Sequence, residues 1–180
     1  MHALDWIGQL MEVAISLIPR LVVVRQTHAG VVFRLGVARA IGPGWHVYWP
    51  LTSECVLVCT VRQSLNLSYQ CLLTKDNHAL VVAAIVVFRI ESAFLAVTET
   101  DNIQDTIHDV SMSAIRRVIN GCDFSEVHTN TNSSGGSIDA MLRRRLQADL
   151  SSYGVAIDRA FLSDISQPII VRLLSDTPPS

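Results

Sequence analysis

A chain of 180 residues is long enough to bury one domain's core, or that of one domain built from two small lobes. Apolar residues supply 49% and charged residues 17%, with a mean hydropathy of +0.35, which points to burial against a membrane, against sister subunits, or both. A net charge of −2 gives no overall field to attract nucleic acid, and four cysteines without a CxxC pair or framework spacing read as reduced structural thiols.

The start "MHALDW" has neither a basic n-region nor an A-x-A-like site, so no secretory signal is expected. Residues 4–24 form the longest apolar-rich run. Its polar positions Asp5, Gln9, Glu12, Ser16 and Arg20 fall within about 80° of helix circumference, a narrow stripe on an apolar cylinder. Pro19 disfavours helix at Ile18. A helix over residues 4–18 reaches only about 22 Å against a hydrocarbon core of about 30 Å, with Glu12 near its midpoint. The pattern suits a helix lying in the membrane interface, with Leu4, Trp6, Ile7, Leu10, Met11, Ile15, Leu17 and Ile18 as candidate lipid contacts. Docking of the same face on the chain's own domain or on a neighbouring subunit stays open.

After Pro19 the reading changes to strands. "LVVVRQTHAGVVFRLG" predicts two strands separated by a hairpin at His28-Ala29-Gly30. Gly42-Pro43-Gly44-Trp45 predicts a type II turn. "WHVYW" then alternates, with Trp45, Val47 and Trp49 on one face and His46 and Tyr48 on the other. Strands are expected at "ECVLVCTVRQ", "SLNLSYQCLLT" and "HALVVAAIVVFRI", with Lys75-Asp76-Asn77 as the polar connection before the last. The apolar stretch from Ala79 to Phe88 predicts a central strand covered on both faces.

From residue 101 the period is helical. Ile103, Ile107, Val110, Ala114 and Val118 share a face, Asp101 with Gln104 forms a candidate capping box, and Gly121 is a stop signal. "NTNSSGG", residues 130–136, reads as a connector. A second helix from about Ile138 to Tyr153 carries Ile138, Leu142, Leu146 and Leu150 on one side and ends at Gly154, before a closing strand "VAIDRAFLSDI". Strands followed by helix, helix and strand predict an α+β fold. The expected organisation is a helix over 1–19, a domain over 20–172 (β lobe 20–95, αβ lobe 96–172) and a disordered tail over 173–180.

"AGVVFRLGVARAIGPGWHVYWPL" resembles the opening signature of the stomatin–prohibitin–flotillin superfamily, also called SPFH or Band 7. The resemblance continues through "VRQ", "LLTKDNHALVVAAIVVFRI", "AIRRVI" and "LQADLSSYGVAIDRAFLSDI", covering residues ~20–165 in order. It implies a scaffold and not a catalyst. Such proteins attach to one leaflet, assemble side by side into rings or cages, and regulate membrane proteins such as proteases and channels. The resemblance therefore implies a homo-oligomer, membrane lipid as a partner and a membrane-protein client, while the unordered cysteines and the missing signal lean towards the cytoplasmic side. Most members continue into a long helix or coiled coil. This sequence stops at Ser180, so a ring or small oligomer is expected in place of a capped cage.

Within that frame the alternation makes Trp45 and Trp49 candidates for the β-lobe core, and Tyr48 and His46 candidates for lipid or neighbour contact. Headgroup-level contact by the aromatic turn as a whole is the other reading. The six histidines show no HxxxH, HExxH or cysteine–histidine spacing, and GxSxG and GxxxxGK[ST] are absent, so no metal, cofactor or catalytic residue is expected. Arg143, Arg144 and Arg145 fan over about 200° of a helix and read mainly as a solvated face. Arg116, Arg117 and Arg144 remain candidate subunit contacts.

Overall fold

The computed structural model describes residues 18–130 and 136–168. Seven strands come first: β1 (Arg20–Val24), β2 (His28–Arg34), β3 (Val37–Ile41), β4 (Gly44–Tyr48), β5 (Ser53–Cys59), β6 (Gln63–Leu73) and β7 (Ala79–Ile90). Helices α1 (Ala93–Thr98), α2 (Ile103–Gly121), α3 (Phe124–Asn130) and α4 (Ser137–Leu150) follow. A 3-10 turn at Ser151–Tyr153 then leads into β8 (Val155–Ser166). The fold is α+β, as expected. All pairings are antiparallel: β1 with β4, β3-β2-β5, and β6-β7-β8.

The β6-β7-β8 sheet carries the core. Leu80, Val82, Ala84, Val86, Phe88 and Ile90 project from one face of β7 and are all buried, beneath Ile107, Ala114, Ile115 and Ile119 of α2 and Ile138, Leu142, Leu146 and Leu150 of α4. The opposite face of β7 is mostly half-buried, so the two-sided cover predicted for this strand is complete on the helix side alone. The flanking strands do not alternate strictly. Buried or packed positions run Leu65, Leu67, Gln70, Leu72 in β6 and Val155, Ile157, Ala160, Leu162, Ile165 in β8. Each interval of three is absorbed by a register shift, between Leu67 and Gln70 on β6 and opposite Ala83/Ala84 and Val87/Phe88 on β8. The bulges return each apolar side chain to the helix face.

Several local expectations change. The hairpin predicted at His28-Ala29-Gly30 does not form: those residues lie inside β2, and β1 pairs with β4 instead. Gly30 is there for close packing, since a Cβ would sit 2.7 Å from Ile41 Cγ1 and 3.1 Å from Leu57 Cδ2. The real hairpin joins β2 to β3 through Leu35 and Gly36, both at positive φ (50° and 82°), as a two-residue primed turn requires. Gly44 has a φ of 139°, beyond the roughly 80° of a type II turn, and the Gly42 carbonyl accepts a hydrogen bond from His46 Nε2 at 2.8 Å. The strand predicted over residues 54–63 breaks after Cys59. Asn102, not Asp101, caps α2, its Oδ1 accepting from the amides of Gln104 (3.0 Å) and Asp105 (3.4 Å). Of the connector, residues 131–135 lie outside the described residues, as do the predicted N-terminal helix up to residue 17 and the tail over 173–180.

Two contacts bind the lobes. Helix α1, capped by Ser92, packs on β2 and β3, and one continuous core runs from Val31 and Val58 into the αβ half. Gly154 closes the other seam: its carbonyl accepts from the amides of Glu91 (2.9 Å) and Ser92 (3.1 Å), and its φ is 70°. A Cβ there would meet the Ser92 carbonyl oxygen at 2.7 Å. On the far edge, Asp158, displaced by a β8 bulge, bonds Arg62 and lies 3.6 Å from Arg89. The Arg62 hydrogen bond, with the charges of Arg62, Arg89 and Arg143, holds its carboxyl below the usual range. In the β6–β7 turn the Asp76 carboxylate accepts from Thr74 and from the Phe124 amide at 3.1 Å, capping α3, and it too is held low.

Gly154→Ala is expected to destabilise the fold by about 2–4 kcal/mol in urea unfolding, because strain and backbone overlap add. Gly36→Ala, at positive φ in open space, should lose only about 1 kcal/mol; equal losses would refute the role of the Ser92 contact. Because Asp76 and Asp158 have depressed folded-state pKa values, their stabilisation is present above the unfolded value of about 4 and is lost as pH falls through the folded values. Asp158→Asn should therefore flatten the acid limb of a stability–pH profile between about pH 5 and pH 2 while lowering stability at pH 7.

Candidate functional site

The β1–β4 ribbon shows why the aromatics cluster. In register, Leu21 faces Val47 and Val23 faces Trp45, so these four side chains stand on one face by the two-residue period. All four are exposed: Leu21 55%, Val23 51%, Trp45 73% and Val47 64%. Trp49 and Leu51 beyond β4, and Ile18 before β1, are exposed as well. The core placement expected for Trp45 and Trp49 is thus overturned. The alternation holds, but the inward face is the one bearing Val22, Val24, His46 and Tyr48. Val24 is buried, and Tyr48, expected to meet lipid or a neighbour, is half-buried.

That inward face covers the β3-β2-β5 sheet and leaves a cleft of about 300 Å³ between them. Its walls include Val32 and Arg34 of β2, Val37 and Arg39 of β3, Ser53 and Cys55 of β5, and His46 and Tyr48 of β4, with Val47 and Trp49 at its rim. A carbonyl oxygen only accepts, so the bond to Gly42 places the His46 hydrogen on Nε2. Burial pushes the Cys55 thiol up, so little thiolate forms at neutral pH and the side chain is a poor nucleophile. Sequence periodicity had no signal for this cleft, because its two walls come from separate sheets.

Of the other predicted contacts, Leu4, Trp6, Ile7, Leu10, Met11, Ile15 and Leu17 lie outside the described residues. Ile18 is exposed. Arg116, Arg117 and Arg144 are exposed. Arg117 lies 3.7 Å from Asp149 of α4, which also takes Arg145 at 3.2 Å, so this arginine already has a partner within the chain. Arg143 donates to the Ile157 carbonyl. Among the described residues no helix is long and apolar enough to cross a membrane, and no group of three or more His, Cys, Asp or Glu side chains converges as a metal site.

Comparison with known proteins agrees with this architecture. An uncharacterized protein of Archaeoglobus fulgidus is 26% identical over 168 residues, 93% of this chain and 66% of its own length. A stomatin homolog of Pyrococcus horikoshii is 27% identical over 160 residues, covering 88% of this chain and 59% of that protein. Mouse stomatin is 23% identical over 150 residues, 82% of this chain and 51% of its own. The chain thus spans between half and two thirds of the length of these relatives. The family model described as SPFH domain / Band 7 family matches residues 22–171, from the middle of β1 to beyond β8, and the chain belongs to that family.

Proposed function

We propose that this protein is a membrane-associated SPFH scaffold that docks by the outer face of its β1–β4 ribbon, assembles with copies of itself, and organises or restrains a membrane partner. The observation that carries the reading is the paired, exposed set Leu21–Val47 and Val23–Trp45. Two strands have only two faces, and covering the cleft uses one of them. A soluble surface would make the other polar, yet here it is apolar and rimmed by tryptophan, the residue that favours headgroup depth. The hairpin tip adds Leu35, 79% exposed while held at positive φ, a strained position with no burial to offset it.

Charge favours lipid as the occupant. Residues 18–59 contain four arginines (Arg20, Arg25, Arg34, Arg39) and a single carboxylate, Glu54, although the whole chain is net negative. A cationic, apolar lobe suits an anionic bilayer surface. The N-terminal segment enters this lobe at Ile18, so an amphipathic helix over residues 4–18 would attach beside the ribbon and add apolar area. Side-by-side assembly would multiply weak individual attachments.

Replacing Trp45 and Val47 together by Glu should leave the far-UV spectrum and the unfolding midpoint nearly unchanged, because both are exposed. The same variant should lose binding to vesicles in flotation by on the order of a hundredfold, since each buried apolar side chain contributes about 1.5–3 kcal/mol. Unchanged flotation would sink the docking face. If mass photometry showed the oligomer lost while flotation persisted, the face would instead be a contact between copies.

A further inference from the structure

The cleft beneath the ribbon holds cationic groups that the fold itself does not use. Arg34 and Arg39 both line it with exposed side chains, and neither guanidinium has a hydrogen bond or ion pair among the described residues. Register places them close together: Arg34 is opposite Val37 and Arg39 opposite Val32, so the two arginines are diagonal neighbours on one face. Such neighbours lie about 7–8 Å apart, close enough for two long guanidinium side chains to reach one small anion. Ser53 is directly opposite Arg34 on β5, and Tyr48 projects from the ribbon above. Both residues line the cleft, and neither hydroxyl has a hydrogen-bond partner among the described residues.

The one carboxylate of residues 18–59 is turned away. Glu54 is in register with Phe33, and the period of two places it on the opposite face from Arg34 and Ser53. Both arginines are exposed, so their mutual repulsion is screened by water, and an anion between them would relieve what remains. From this geometry we infer that the cleft is a phosphate-binding site, in which Arg34 and Arg39 clamp the phosphate oxygens and the Ser53 and Tyr48 hydroxyls donate to them. Planar guanidinium forks match two oxygens of a phosphate mono- or diester, whereas a carboxylate would leave the two hydroxyl donors unused. The phosphate is either borne by a lipid headgroup or free in solution. The inference goes beyond membrane docking, since free phosphate would fill the cleft without a bilayer.

The test uses the full chain, the double variant Arg34→Gln/Arg39→Gln, and a charge-matched control, Arg25→Gln/Arg144→Gln, whose side chains are equally exposed but outside the cleft. Calorimetric titration with inorganic phosphate reports the free-ligand arm. Flotation on phosphatidylcholine vesicles with and without phosphatidylglycerol reports the lipid arm. The expected result is saturable phosphate binding, a phosphatidylglycerol-dependent gain in flotation, or both, weakened at least about tenfold in the cleft variant and little changed in the control. A gain confined to the vesicle arm assigns the phosphate to lipid, and one confined to the titration assigns it to a soluble ligand. Equal losses in the two variants would reduce the effect to diffuse electrostatics and overturn the site, as would no response in either arm. Phosphate binding with no flotation on any vesicle would end the membrane reading while the cleft assignment stood.

Discussion

Burial of one face of β7 beneath α2 and α4 is the constraint on which the molecule depends. Six side chains from Leu80 to Ile90 lie on that face, and a slip of one residue would exchange them for the half-buried set headed by Val81, Ile85 and Val87. The flanking strands meet this register by bulging. In β8 the bulges displace Ser163 and Asp158 from the ladder, and Asp158 thereby comes within reach of Arg62 and Arg89. The same irregularity that keeps apolar side chains inside thus creates an ionic tie at the sheet edge.

The β lobe follows a different rule. Its three-stranded sheet shares the main core on one side through Val31, Phe33 and Val58, and it receives the β1–β4 ribbon on the other. A two-stranded ribbon has little stability of its own and needs a surface to pack on. Here it covers that surface incompletely, so the cleft with Arg34 and Arg39 remains beneath it. Its outer face remains above, apolar and without cover among the described residues. Packing through α1 and the Gly154 seam holds this lobe against the αβ half, so the exposed face is presented by a supported element.

Legibility in the sequence tracked the length of each element. Helices α2 and α4 were plain because four or five apolar positions repeat at helical spacing, and β6, β7 and β8 because their runs are long and bounded. Helices α1 and α3, of six and seven residues, escaped because fewer than two turns hardly establish a period. The β2–β3 hairpin was hidden by Leu35: its turn needs positive φ at two positions, and leucine occupies the one where asparagine or aspartate would have given the signal. Gly30 was mistaken for a turn residue, although a glycine inside a strand also marks close approach of neighbouring side chains.

The sequence by itself determined the α+β order, the long apolar strand β7, the family resemblance, and the division of "WHVYW" into two opposed faces. Alternation is a local property of the pleat, so it was readable without knowing the neighbours. Only the tertiary structure decided which of those faces is inside. That choice rests on the partner of β1, some twenty residues on at β4, and on the sheet the ribbon lies over, neither of which leaves a mark in local periodicity. The pairing of β1 with β4 turns Tyr48 and His46 inward and Trp45 and Val47 outward, and with them the cleft and the docking face come into being.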